Sequence, residues 1–503
     1  MMPILSILLI LPLLTTLFIC FAPPTISRTL AVLGALATFA LSLVLLLLPA
    51  VSSATGFRFE ESYAWIPGLN IGYHLGVDGP AILLILLTTF LQLMVVLYSS
   101  ANTPTNPRAF FALLMSLETA MIGSFCALDL VLFYVFFEAC LVPTYFLIGI
   151  WGGRRRIAAA TKFFVYTVVG SLLMLASIIA LNLLTGAHNF DFVTLRTAIA
   201  TNPFSREVGI WLFSGFAISF AVKAGVFPFH TWLPDTYAES PTAATVLLSG
   251  VLAKLGTYGF YRFGIQLFPD AAHYLAPVMV TLGVVSIIYG ALIAAVQSDI
   301  KRVFAYSSIS HLGFVTLGLF AFTPTALEGA FLQMVNHGIT SGALFLIAGM
   351  IYARRGTTSI RQLGGLWEQM PVFGRLFLIA TLSSIALPLT NGFVGEFLIL
   401  IGSFQSFPWA TALATTGVIW SAVYMLYMFQ RVMYGPVDKA LNRRLTDITG
   451  AERGLLAVFV VLIFALGIYP TLATRSLDSA VAQTIQGTGT PVALRYSVHG
   501  IIK

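Results

Sequence analysis

Residues 217–263 read AISFAVKAGVFPFHTWLPDTYAESPTAATVLLSGVLAKLGTYGFYRF, two apolar segments with one lysine deep in each, Lys223 and Lys254. A charge at the middle of a membrane helix costs roughly 2.5–3.5 kcal/mol on insertion scales, so it is rarely incidental. Pro228 follows Lys223 by a few residues and interrupts the first segment, because proline lacks the backbone donor that a helix interior needs. Two embedded lysines beside a broken helix point to a path for charge through a bilayer.

The rest of the chain fits that setting. Of 503 residues, 58% are hydrophobic and only 9% charged, with a mean hydropathy of +0.93. A water-soluble protein carries about 25% charged residues, so the sequence specifies a polytopic membrane protein surrounded by lipid. The net charge of +7 does not imply nucleic acid, because the basic residues sit in short loops rather than one patch. Cys20, Cys126 and Cys140 lie in apolar segments without a CxxC spacing, which argues against a disulfide framework or an iron–sulfur site. With no GxGxxG after a strand, no P-loop lysine and no HExxH, no cofactor or metal is expected in this chain. Residues 1–22 are apolar without a basic lead, so they read as a first span rather than a cleaved signal.

Cutting the chain at its polar breaks gives about fourteen segments of membrane-crossing length. They centre on 3–22, 29–51, 79–98, 109–127, 130–151, 160–184, 208–227, 242–263, 275–296, 302–322, 326–352, 372–402, 409–434 and 453–473. The odd-numbered loops hold most of the basic residues, among them Arg154, Arg155, Arg156, Arg354, Arg355, Lys439 and Arg443. The even-numbered loops hold little beyond Arg58, Arg196 and Arg206. The positive-inside rule therefore places the odd loops in the cytoplasm and both termini outside. The seventh span is broken around Val226-Phe227-Pro228 and the twelfth around Pro388-Leu389-Thr390-Asn391-Gly392. Interrupted helices five spans apart are what inverted-repeat transporters show around a midplane site. Proline kinks used only for packing are the plainer account.

Ionisable groups recur near mid-span. The fifth span has Glu138, with Tyr134 one turn before and Tyr145 two turns after, on one helical face. Lys223 lies in the seventh, Lys254 in the eighth, His311 in the tenth, His337 in the eleventh and Glu396 just past the break of the twelfth. Gln333, Thr340 and Ser341 extend the stripe around His337, and Trp420, Tyr424, Tyr427 and Arg431 share a face of the thirteenth. Singly, each has a bland account. Glu138 and Lys223 fit a static ion pair, a lone histidine fits packing, and Glu118 of the fourth span fits contact with a neighbouring helix. Asp299, Lys301 and Arg302 read as solvated charges at a span end. As a set on separate helices, the groups Glu138, Lys223, Lys254, His311, His337 and Glu396 match the ionisable chains of proton relays.

The stretches FYVFFEACLVPTYFLIGIWGG, KAGVFPFHTWLPDTYAESPTAATVLLSGVLAKLGTYGFYRFG and ALPLTNGFVGEF resemble the antiporter-like subunits of respiratory complex I, the NADH:quinone oxidoreductase. That resemblance implies an all-α polytopic membrane protein of about fourteen transmembrane helices, with two inverted five-helix repeats that each contain a broken helix. The chain would form a single membrane domain: 1–107 as three leading helices, 108–265 and 270–435 as the repeats, and 436–503 as the last helix and tail. The fifth-helix glutamate of the family matches Glu138, its seventh- and eighth-helix lysines match Lys223 and Lys254, and its twelfth-helix residue matches Glu396. The sister L and N subunits and the related cation antiporters carry lysine at that last position. His311 and His337 would lie on the family's central polar axis.

The resemblance further implies a translocase subunit of the bacterial inner membrane, with NADH, FMN, iron–sulfur clusters and quinone in partner subunits. Its neighbours would be other membrane-arm subunits, especially the antiporter-like subunits L and N. The rivals are a subunit of a multi-subunit cation/proton antiporter, the membrane arm of a proton-pumping hydrogenase, and a structural scaffold. In the translocase reading Lys223 is the switchable proton carrier and Glu138 its modulating partner. Lys254, His311 and His337 are further stations, and Glu396 connects to the outlet or to a neighbouring subunit.

Overall fold

The computed structural model describes residues 3–48, 55–102, 104–437 and 440–487. The end of the expected second span (49–51), Lys439 and the tail after 487 lie outside the described residues. Thirteen helices among the described residues are long and apolar enough to cross a membrane. The twelfth span is two shorter helices with a break between them, where the sequence places it. The chain divides into two compact units. One is drawn from residues up to Ala224, Val251–Pro277 and the segment from Ser476 on. The other is drawn from Gly225–Gly250 and Val278–Arg475. Residues 225–250 group with the later spans and 251–277 with the earlier ones.

The first unit opens with α1 (Ile4–Phe21) and α2 (Pro24–Leu47), the second started by Pro24 at a position where a missing N–H costs nothing. An antiparallel hairpin then pairs β1 (Arg58–Ile66) with β2 (Ile71–Val77), turning through Asn70 at φ 53°. In β2, Ile71, Tyr73, Leu75 and Val77 alternate with Gly72, His74 and Gly76, the two-residue period of a strand, a signal that a reading aimed at membrane spans passes over. It leads into α3 (Gly79–Ala101), whose orphan N-terminal donor at Ala81 is taken by Asp78 at 3.1 Å. Next come α4 (Pro107–Cys126) and α5 (Leu130–Trp151). Asp129 caps α5 by accepting from Val131 and Leu132 at 2.9 and 3.0 Å. The helix α5 is irregular at Cys140, because Pro143 has no N–H to return to the carbonyl four residues earlier. Then follow α6 (Arg156–Thr185), a short helix α7 (Phe192–Thr201) and α8 (Arg206–Ala224).

The second unit begins where α8 stops. Gly225 has φ +72°, and a Cβ there would stand 2.6 Å from Leu233 Cδ1, so only glycine turns the chain at this point. The helix α9 (Trp232–Glu239) follows the turn, and α10 (Thr242–Ile265) starts in this unit and ends in the first. The remaining helices of more than ten residues are α11 (Pro269–Ala295, from Val278 on), α12 (Ile300–Phe320), α13 (Pro324–Arg355), α14 (Pro371–Ser384), α15 (Asn391–Ser406), α16 (Pro408–Met433) and α17 (Gly450–Ile468). A last helix, α18 (Asp478–Gly487), returns to the first unit. The helix α13 is the spine of the second unit. Its 32 residues extend about 48 Å at 1.5 Å per residue, and its middle is fully buried. Lys301 is not a solvated end charge, since it is 7% exposed and donates to the Ser240 carbonyl at 2.8 Å. It satisfies an orphan carbonyl at the C-terminus of α9, while Arg302 pairs with Asp235 at 3.0 Å.

Candidate functional site

In the first unit Glu138 sits on α5 two residues before the irregular turn, and Lys223 ends α8 two residues before Gly225. Both helices are therefore imperfect where they carry charge. Lys223 is 2% exposed. Its Nζ donates to the Phe137 carbonyl at 3.5 Å and stands 4.3 Å from the centre of the Phe137 ring, a cation–π contact. Glu138 acts on Lys223 through its charge, yet among the described residues the two make no direct ion pair. One Glu138 oxygen, Oε1, is buried without a hydrogen-bond partner there, while Ser171 of α6 lies beside both Glu138 and Tyr134. Tyr145 instead packs edge-on against Phe146 and Phe164.

Lys254 is fully buried on α10. This span is not a regular helix: π-helical turns at Leu248–Leu252 and Phe260–Ile265 flank the α-helical stretch that holds the lysine. Such widened turns shift the register and often mark functional places. Gly256, two residues on, lets α10 press against α8, where an added Cβ would stand 2.5 Å from the Phe220 carbonyl and 2.6 Å from the Ala224 nitrogen. The two lysine-bearing helices thus meet at their backbones. One turn after Lys254, the Tyr258 hydroxyl donates to the Phe125 carbonyl at 3.0 Å and accepts from Arg262 Nε at 3.2 Å.

The second unit gathers Glu396, His311 and His337. Glu396 stands in the second turn of α15, 2% exposed, and its Oε1 pairs with His311 Nδ1 at 2.6 Å and accepts from Gln333 Nε2 at 3.0 Å. The rings of His311 and His337 are 5.5 Å apart. The break before α15 places Ala386 and Leu389 at φ +56° and +74°. It is tied down by Asn391, whose carbonyl accepts from Asn336 Nδ2 at 2.8 Å and whose side chain accepts from Ser383 at 2.7 Å. Glu396, His311, His337, Gln333, Asn336 and Ser383, with Ser307, Thr340 and Ser341, line a cavity of about 20 Å³, where one water needs about 10–15 Å³ on this measure. Glu396 Oε2, His311 Nε2, Gln333 Oε1, Asn336 Oδ1 and Ser341 Oγ have no partner among the described residues. That is the acceptor and donor set a bound water requires.

The six expected residues therefore divide into Glu138, Lys223 and Lys254 in one unit and His311, His337 and Glu396 in the other. The expected aromatic face of α16 is unevenly buried, with Arg431 5.3 Å from the centre of the Tyr427 ring. Tyr424 is buried and donates to Ser307 at 2.8 Å, whereas Trp420 and Tyr427 are 37% and 52% exposed. Glu118, whose sequence setting fits contact with a neighbouring helix, is fully buried and neither carboxyl oxygen finds a partner among the described residues. Its signal, one carboxylate in an apolar span, is the same as that of Glu138. The interaction of Arg262 with Asp78, 2.5 Å apart, had no comparable signal, because the two are 184 positions apart in the chain and each reads as a span end.

Comparison with known proteins finds relatives along most of the chain. The family described as "NADH:quinone oxidoreductase/Mrp antiporter, TM" matches residues 127–421. The chain is 42% identical over 470 residues to the NADH-quinone oxidoreductase subunit M of Rhodobacter capsulatus, covering 92% of this chain and 90% of that protein. Its fold matches a chain of respiratory complex I from Thermus thermophilus with a TM-score of 0.88 at 33% identity, over 96% of this chain and 100% of that one. A chain of the Mrp complex from Dietzia sp. DQ12-45-1b shares the fold, with a TM-score of 0.82 at 22% identity over 96% of this chain and 52% of that one.

Proposed function

The chain belongs to the NADH:quinone oxidoreductase/Mrp antiporter family, on the side of the subunit M proteins, and from that premise we propose how its buried groups work. It is a proton-translocating membrane-arm subunit of NADH:quinone oxidoreductase, driven by electron transfer in other subunits. The observation that carries the reading is the placement of ionisable side chains at helix irregularities in both units: Lys223 before Gly225, Lys254 between π-turns, and Glu396 just after the break. Unwound backbone is tolerated at membrane depth only where protein or a wet cavity satisfies its polar groups. Charge and water can therefore meet there.

In this mechanism Lys223 carries the proton and Glu138 sets how tightly it is held. Because the two interact without a bonded pair, a small shift of either changes the coupling without breaking a salt bridge. Moving a proton against about 150–200 mV costs roughly 3.5–4.6 kcal/mol. A swing of that size in proton affinity lies within what a buried lysine shows when a neighbouring charge changes. Lys254 takes the proton next. In the second unit, His311, bonded to Glu396, and His337 exchange it with water in the polar cavity.

The partners are other complex I subunits, with the antiporter-like subunits L and N as the proposed neighbours. NADH, FMN, iron–sulfur clusters and quinone belong to those other chains. Among the described residues no group of three or more His, Cys, Asp or Glu side chains is placed to hold a metal. The proposed location is the bacterial inner membrane, with both termini on the periplasmic side. A cation/proton antiporter is disfavoured by Glu396 where those relatives carry lysine, and purification without flavin and iron–sulfur subunits would revive it. The direct test is Glu138→Gln in the assembled complex. NADH-driven proton uptake should fall severely while the complex still assembles, and wild-type uptake would remove Glu138 from the mechanism.

A further inference from the structure

The C-terminal end of α10 carries a second buried charge that the translocation scheme does not use. Arg262 is 1% exposed inside the first unit, two turns beyond Lys254 with Tyr258 midway. Its Nη2 lies 2.5 Å from Asp78 Oδ2, and the same oxygen accepts from the Tyr261 hydroxyl at 2.7 Å. The other Asp78 oxygen accepts from Ala81 N at 3.1 Å. Arg262 Nη1 donates to Gln266 at 2.9 Å, and Gln266 donates on to Thr484 of α18 at 3.2 Å. Four rings crowd the guanidinium, those of Phe57, Tyr261, Tyr258 and Phe192 at 4.8, 4.9, 5.5 and 5.7 Å. Nearer the surface stands a cluster of half-buried titratable groups, His74 between Asp191 and Glu60 at 2.5 and 3.5 Å.

We propose that Arg262, neutralised by Asp78 and collared by Phe57, Phe192, Tyr258 and Tyr261, is a seal. It keeps a proton on Lys254 from escaping toward the face of the first unit that bears the hairpin β1–β2. The inference rests on Lys254 being a proton carrier. A wire of hydrogen-bonded groups passes protons only if each member can both accept and release one. A guanidinium cannot release its proton under any working condition, so it interrupts such a wire permanently. Its positive charge also repels an approaching hydronium, as an arginine does in proton-excluding channels. Asp78 makes a fixed cation tolerable at this depth, and its two oxygens are held by Ala81 N on one side and by Tyr261 and Arg262 on the other. The aromatic rings occupy the volume that water would need. The π-turn at Phe260–Ile265 brings Arg262 into the collar by adding a residue to the last turns of α10.

A plain structural lock between α10 and α3 would use the same contacts, and lysine separates the two roles. Lysine keeps the charge and the partner but is smaller, and it titrates readily when buried. The test uses the whole complex in liposomes holding a trapped pH indicator, carrying the native chain, Arg262→Lys, or the paired change Asp78→Asn with Arg262→Gln. NADH-driven proton uptake by the native complex is recorded first, which establishes translocation independently of the seal. Passive proton entry under a potassium diffusion potential, without NADH, is then compared. The seal requires several-fold faster entry in either assembled variant than in the native complex. Unchanged entry in both, or loss of both from the complex, overturns it and leaves the pair as a helix lock.

Discussion

Glu138, Lys223 and Glu396 were visible in the sequence because a charge in an apolar span is conspicuous. Their partners were not visible. That Lys223 leans on the Phe137 carbonyl and ring, and that Glu396 takes Gln333 and His311 on one oxygen, depends on side chains brought together by packing between distant spans. Outside the spans, His74 and Asp191 make the clearest titrating pair. Burial works against charge on His74, but the hydrogen bond and charge of Asp191, with Glu60, outweigh it and hold the imidazole above its usual value. Burial likewise opposes charge on Asp191, and the bonds from His74 and Thr194 outweigh that and hold its carboxyl below the usual range. The His74 contribution is full below the unfolded value of about 6.5 and is lost as pH rises through its raised value. The Asp191 contribution is full above about 3.9 and is lost as pH falls through its lowered one. The tie of β2 to the start of α7 should therefore be firmest between about pH 4 and 6.5. Hydrogen exchange corrected for intrinsic rate should show weaker protection of β2 at about pH 8.5 than at about pH 5.5. His74→Asn should abolish the difference.

The helices themselves were legible from length and hydropathy, and so were both breaks, since proline and glycine act locally. The π-turns of α10 and the fault in α5 at Cys140 were not, because they answer to neighbouring elements. The contact of α10 with α8 shows what those neighbours demand. A Cβ on Gly256 would meet backbone atoms of Phe220 and Ala224, and backbone cannot rotate aside as a side chain can. Gly256→Val should push the helices apart at the level of Lys223 and Lys254 and cost about 1–3 kcal/mol or more. A lower melting temperature of the purified complex, with weaker proton uptake per NADH oxidised, is the expected result. An unchanged melting temperature would mean that α10 does not need this approach.

For the molecule as a whole, the two compact units each hold a triad of expected groups, Glu138 with both lysines in one and both histidines with Glu396 in the other. Length and hydropathy indicate about fourteen spans, of which thirteen are helices of full crossing length among the described residues, but not this grouping, since the exchange of 225–250 and 251–277 between units leaves no mark on local composition. No redox group is expected in a chain of this composition, so translocation should exist only in the assembled enzyme. Purification in mild detergent should retain flavin and iron–sulfur subunits with the chain. The central claim, that a buried lysine carries the proton, is tested most directly by Lys223→Ala in the complete complex in sealed vesicles. NADH oxidation and the pH gradient it builds are measured together. The gradient should collapse relative to the native complex while the assembled subunits remain. A native-sized gradient at native oxidation rates would contradict the account.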